Sequence, residues 1–270
     1  MTSKDGSPLL LLAAMLAATM GCGSGDAGTG PVLSDSATVI FLHHSTGAAI
    51  WAGGVSRAIA DYNGAHGTRY GIVELAYPSS GGYGWANYPF DYWNIWVDHA
   101  NDDPYLTEPN LASLTADHDV IVWKHCFPVS QVVAPDGNAD VTSSVQTDAN
   151  YRLQYEALKA RMHQYPDNRF IVWTGAALVA GATNPEDATR AMDFFDWVVN
   201  TWDEPGDNIY VWDFRRLETN GGLYMLDANA SSATDSHPNG TFSATVAPYL
   251  ARRIVDVIEG RGDTGSLTGT

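Results

Sequence analysis

Residues 37–47 read ATVIFLHHSTG, and this stretch decides the fold. Ala37 to Leu42 is an unbroken apolar run, without the in–out alternation of a half-exposed strand. A strand of this kind is buried on both faces, as happens when helices cover a parallel sheet from either side. The run stops at two histidines, a serine, a threonine and a glycine, and Ala48–Tyr62 then carries helical spacing. A buried strand, a tight polar turn and a helix make the first half of a βα unit.

The same alternation repeats downstream. Ile72–Tyr77, Val120–His125, Phe170–Thr174 and Ile209–Phe214 are further short β runs. Asp148–Tyr165 spaces Tyr151, Tyr155, Leu158 and Met162 along one helical face. Asn184-Pro185-Glu186-Asp187 offers a cap, a proline for the first turn and two acids facing the helix dipole, so it predicts a helix running to about Trp202. Phe242–Glu259 closes as a helix with Gly260 as its stop. Buried strands separated by helices imply right-handed crossovers and a three-layer α/β/α sandwich on a five-stranded parallel, flavodoxin-like sheet. Ligands of such sheets bind at the carboxyl ends of the strands. The turns after Leu42, Tyr77, His125, Thr174 and Phe214 are therefore where chemistry is expected.

Composition narrows the function. The 270 residues carry 31 acidic against 14 basic side chains, a formal charge of −17, which speaks against nucleic acid as a partner. Asp outnumbers Glu by 24 to 7 and Arg outnumbers Lys by 11 to 3; salt adaptation and genomic base composition explain this equally well. The segment PLLLLAAMLAATM, residues 8–20, is apolar, of signal-peptide length and short for a membrane span. It is followed by Gly21-Cys22-Gly23, which resembles a bacterial lipoprotein signal in which the cysteine is lipidated. The expected organisation is a signal peptide over 1–21, a flexible tether over 22–36, a folded domain over 37–260 and a disordered tail over 261–270. A lipidated Cys22 leaves Cys126 without a partner, so no disulfide is expected within the monomer.

Two polar motifs fall at the expected edge. Ser45, in the turn after the first strand, suits a nucleophile whose neighbouring backbone N–H groups face the atom it attacks; the alternative is a helix cap. Near the other end, Thr234-Asp235-Ser236-His237-Pro238-Asn239 sets a carboxylate close to an imidazole just before the last helix, either as the base and orienter of a triad or as a surface turn. With both in view, the chain resembles the SGNH/GDSL hydrolases, a family of serine esterases and lipases. HHSTG, WKHCFP and DSHPN resemble a bacterial lipoprotein-like subgroup of it, and the resemblance spans residues 37–260.

The resemblance implies Ser45 as nucleophile, His237 as general base and Asp235 as its orienting acid. It implies an oxyanion hole from the Ser45 N–H and a glycine after the second strand, Gly81 or Gly82. The chain departs from the family in three places. His43-His44 replaces the usual Gly-Asp before the serine. Asp235 precedes the histidine by two residues rather than three, leaving Asp227 as a second carboxylate for that role. The asparagine expected after the third strand is missing.

Lys124, at the end of a buried strand, either stands in for that asparagine near the oxyanion or pairs with an aspartate. Adjacent strand residues point to opposite sides, so His43 is expected beneath the site and His44 lining it, with no shared metal. Eight of the twenty residues Tyr77–Trp96 are aromatic. They serve either as faces for sugar rings, Tyr83 and Trp85 among them, or as a cover over the sheet edge. The reading is thus an exported, monomeric esterase acting on O-acylated carbohydrate, without cofactor or metal. It would sit on the outer membrane or cell surface through its lipid, or else be secreted or periplasmic. The alternatives are a lipid or lysophospholipid esterase and a non-catalytic glycan-binding lipoprotein.

Overall fold

The computed structural model describes Met1 and residues 30–79, 83–135 and 137–270. The expected signal peptide, Cys22, the first part of the tether and both candidate oxyanion glycines, Gly81 and Gly82, lie outside the described residues.

Five parallel strands form the sheet: β1 (Thr38–His43), β2 (Gly71–Ala76), β3 (Val120–Lys124), β4 (Arg169–Trp173) and β5 (Ile209–Trp212). Their order is β2-β1-β3-β4-β5. The chain leaves β1 toward β2 on one side and returns to place β3 on the other. Strand order reverses there, and in sheets of this class a crevice opens at that point, outside the carboxyl ends of the strands.

Helices cover both faces. On one side lie α1 (Thr46–Ala52), α2 (Val55–His66) and α8 (Gly240–Ile258); on the other α3 (Pro89–Trp93), α4 (Leu111–Asp117), α5 (Asp148–Met162) and α6 (Pro185–Trp197). The short α7 (Phe214–Thr219) follows β5. The layers account for the continuous apolar strands. Val39, Phe41, Val122, Trp173 and Trp212 pack under α1, α2 and α8, while Ile40, Leu42, Trp123, Val172 and Val211 pack under α3, α5 and α6. Side chains still alternate, but in β1, β3, β4 and β5 both faces are core, whereas the edge strand β2, also expected to be buried, has no buried residue because it lies at the margin of both helix layers. The result is a three-layer α/β/α sandwich.

Local chemistry sets the boundaries. Asn184 accepts from Asp187 N at 2.9 Å with Pro185 in the first turn, and Asn239 caps α8 by accepting from Phe242 N at 2.9 Å. The helix expected over 48–62 is two helices, because Gly54 sits at φ +115, outside helical space. The aspartate–histidine motif, expected in a loop, lies on a two-stranded hairpin, β6 (Ala230–Ser232) against β7 (Asp235–Pro238).

Two boundary expectations are corrected. Residues 261–270 are an ordered cover over the edge strand: Trp212 Nε1 donates to Thr268 O at 2.9 Å and Asp213 N to Leu267 O at 2.8 Å. Polar backbone of this kind satisfies groups that an open sheet edge would leave bare. Residues 30–36 are not a free tether either. Gly30 N donates to Gly260 O at 2.9 Å and Leu33 N to Ile258 O at 2.8 Å, fixing this segment along the end of α8.

Candidate active site

Ser45 stands in the turn between β1 and α1, at φ +48 and ψ −100. Gly47 N donates to His44 O at 2.8 Å, closing a four-residue turn with Ser45 at its second position. These angles resemble a type II′ turn, whose second position ordinarily takes glycine. A serine there is strained by on the order of 1–3 kcal/mol, and such strain concentrates at functional sites. Ser45 does occupy the residue before α1, but its side chain makes no cap bond. Its Oγ meets Nε2 of His237 instead. Ser45 is thus not a side-chain cap for α1.

His237 is held on its other side. Asp235 Oδ1 accepts from His237 Nδ1 at 2.6 Å and from His237 N at 3.0 Å. The spacing of two residues works because the backbone bond folds the carboxylate back onto its own hairpin. The imidazole partner holds Asp235 below its usual carboxylate range. Both side chains are open to solvent, Asp235 at 50% and His237 at 42%. Phe127, in the turn after β3, packs its ring edge-to-face on His237 at 4.9 Å between centroids. Buried Ser236 accepts from Val179 N at 3.0 Å, tying the hairpin to the loop after β4. Phe127 and Ser236 lie in the WKHCFP and DSHPN motifs, but their contacts are not local and the sequence does not assign them a part in the site. Asp227 is not hydrogen-bonded to His237; its backbone carbonyl accepts from Ala230 N at 3.3 Å, within the turn leading into the hairpin.

The two histidines divide. His43 is buried, with Nε2 against Glu74 Oε2 at 2.8 Å. Burial, then the neighbouring charges of Lys124 and His44, lower it to about 3, so it stays neutral. His44 is half-buried and its Nε2 meets Pro78 O, bracing the start of the loop after β2. Glu108 secures the same loop by accepting from Ser79 N at 2.7 Å.

Lys124 takes neither of its expected places. It is completely buried, so its ammonium cannot touch a substrate, and no carboxylate lies within ion-pair distance of it among the described residues. Nζ donates to His44 O at 3.2 Å and stands 5.6 Å from the centre of the Trp173 ring. Burial lowers it from the usual lysine range. Glu218, on α7 and fully buried, accepts from Ala177 N at 2.8 Å, and burial raises it to about 8. Gly47 has no room for a side chain: a Cβ there would collide with His43 Cβ and lie 3.0 Å from Lys124 Cδ.

The aromatic segment is mostly a cover. Tyr77, Tyr88, Tyr92, Trp93 and Trp96 are buried, and Tyr92 packs edge-on against Trp96 and tilted against Trp123. Trp85 is half-buried beside Tyr105, and Tyr83 alone of the eight is exposed. Asn87 comes beside the turn after β3, where Cys126 N donates to its carbonyl at 2.8 Å. Its Nδ2 donates to Tyr77 O at 2.9 Å.

Among the described residues no group of three or more His, Cys, Asp or Glu could hold a metal ion. A groove of about 630 Å³ between α2 and α8, lined by Tyr62, His66, Ala251, Arg252 and Val255, contains no member of the Ser45 cluster.

No protein-family model matches the chain, and no curated protein matches it. Among solved structures it is similar to an acetyl xylan esterase, at 14% identity and TM-score 0.48, covering 78% of this chain and 96% of that one. It is also similar to a gut microbial diltiazem-metabolizing enzyme, at 10% identity and TM-score 0.47, covering 86% of this chain and 49% of that one.

Proposed function

We propose that the chain is an exported serine esterase of the SGNH type, with Ser45 as nucleophile, His237 as general base and Asp235 as orienting acid. The observation that carries the reading is the unbroken line from Ser45 Oγ through His237 to Asp235, with a non-glycine nucleophile held at positive φ. Ser45 Oγ attacks the acyl carbon as Nε2 of His237 takes its proton. The oxyanion accepts from the Ser45 N–H, which donates no hydrogen bond among the described residues, and from a glycine N–H of the Gly81–Gly82 pair. Collapse expels the alcohol with the proton from His237. Water, activated by the same imidazole, then releases the acid.

The substrate class we favour is an O-acyl, chiefly O-acetyl, ester on a neutral carbohydrate. The catalytic side chains are open at the surface, which admits a polymer, and exposed Tyr83 offers an aromatic face on the loop after β2. The −17 formal charge disfavours strongly anionic substrates. The apolar segment before Cys22 supports export and anchoring through that cysteine.

Labelling with a fluorophosphonate tests the reading. The wild-type chain is expected to label once, at Ser45, and to hydrolyse p-nitrophenyl acetate. Ser45→Ala and His237→Ala should lose both. Labelling that persists in Ser45→Ala overturns the assignment.

A further inference from the structure

Beneath the nucleophile turn lies a cation that the triad does not use. Lys124 ends β3, beside β1 in the sheet, on the face that packs under α1. It is fully buried, and its hydrogen bond among the described residues goes to His44 O at 3.2 Å. That carbonyl and the Ser45 N–H belong to one peptide group. The carbonyl faces inward to the ammonium, while the N–H has no acceptor among the described residues and is the donor assigned above to the oxyanion. The same carbonyl also accepts from Gly47 N at 2.8 Å. It therefore takes two donors while the other end of its amide stays available.

The geometry points to Lys124 as a positioning residue that fixes the strained Ser45 turn and polarises the His44–Ser45 peptide, strengthening the Ser45 N–H as an oxyanion donor. Hydrogen bonds through one amide reinforce each other, because drawing electron density to the oxygen leaves the N–H more positive. Charge-assisted donors do this more strongly than neutral ones, and a dry surround leaves the ammonium's field unscreened. The inward carbonyl of His44 supplies the acceptor that the buried ammonium needs. The crowding of Gly47 against His43 and Lys124 shows how closely the turn is fitted to this side chain. The proposal supplies a reason for a lysine where the fold would otherwise place an apolar residue, and it rests on the esterase reading above.

The test is Lys124→Met, which keeps the length and apolar bulk of the side chain and removes its charge. Met removes the desolvation cost of a buried ammonium that has no carboxylate within ion-pair distance among the described residues. The expected result is a kcat for p-nitrophenyl acetate lower by roughly 10–100-fold, KM within about threefold and an unchanged melting temperature. Affinity for a trifluoromethyl ketone, which forms an oxyanion on Ser45, should fall by the same factor as kcat/KM. A purely structural lysine would not couple those two quantities. If Lys124→Met does not fold, Lys124→Gln, which retains a donor without charge, is expected to give the same pattern; failure of both to fold assigns the lysine to stability and overturns the proposal. Wild-type kcat in the folded variant, or a ketone affinity that does not follow kcat/KM, also overturns it and leaves the esterase reading standing. A wild-type chain that neither labels with fluorophosphonate nor hydrolyses the ester fails that reading, and the inference with it.

Discussion

Ser45 and His237, 192 residues apart in the chain, share a hydrogen bond at the carboxyl edge of the sheet. Each half is prepared locally. The serine sits in a turn that folds β1 into α1, and the histidine sits on a hairpin that precedes α8. Packing of α1 against α8 and against β7 brings the two together.

The conformation of Ser45 predicts a trade between stability and activity. At φ +48 a serine pays steric strain that glycine does not. Ser45→Gly is therefore expected to stabilise the fold by about 1 kcal/mol, raising Tm by roughly 2–4 °C, while abolishing hydrolysis. Thermal melts of the purified variant check the sign. A lower Tm would mean that the His237 bond outweighs the strain.

Asp235 should matter less than a buried triad acid. Replacing a buried orienting aspartate by asparagine costs about 10⁴ in kcat. Asp235 is half exposed, so water can partly support the imidazolium. Asp235→Asn is expected to lower kcat by roughly 10²-fold at neutral pH, against that reference value. Its carboxyl is held below the usual range by His237. Activity that depends on its ionisation is therefore present above that lowered value and lost only as pH falls through it. A pH–rate profile of the wild type should show no loss from Asp235 above about pH 4, near the unperturbed carboxyl value.

How much of this could be read from the chain depended on whether the signal was local. The run Ala37–Leu42 is buried on both faces and announces it in eleven letters with the turn that follows. The serine's turn and the Asp235–His237 pair are likewise written within a few residues. Lys124 could be seen as unusual, but its partner could not be named, because it is a backbone carbonyl 80 residues away and carries no side-chain signature. For the final ten residues the expectation is a disordered tail. They are ordered because their backbone groups find Trp212 and Asp213 at the edge of β5, a tertiary fact that composition does not hold.

Glu218 predicts a slope in stability with pH. Its carboxyl ionises near 4.5 when unfolded and is raised to about 8 in the fold by burial. Between those values the folded state holds a proton that the unfolded state has released, so this group's contribution to stability is full below about 4.5 and falls as pH rises toward 8. Glu218→Gln keeps the bond from Ala177 N and removes the titration. Denaturant melts between pH 5 and 8 should show the variant flatter than the wild type by up to a few kcal/mol. His43 works in the opposite direction. Lowered to about 3, it gives stability that is lost as pH falls from its unfolded value near 6.5. Its effect is therefore concentrated below pH 6.5, and a comparison restricted to pH 7–8 isolates Glu218.

The aromatic segment divides into two kinds of residue that single substitutions should separate. Trp96 is fully buried, donating Nε1 to Tyr77 Oη at 2.5 Å and packing on Tyr92 and Trp123. Trp96→Ala removes a large core side chain and is expected to cost about 3–5 kcal/mol, with activity falling only as the folded fraction falls. Tyr83 is 44% exposed, and its removal should change stability by less than about 0.5 kcal/mol. If its ring stacks on a sugar, Tyr83→Ala raises KM for an acetylated oligosaccharide by roughly 5–10-fold, the range expected for one aromatic contact of about 1 kcal/mol. Steady-state kinetics on that oligosaccharide, set beside p-nitrophenyl acetate, measure the difference. An unchanged oligosaccharide KM removes Tyr83 from the substrate surface and leaves the whole segment as a cover for the core.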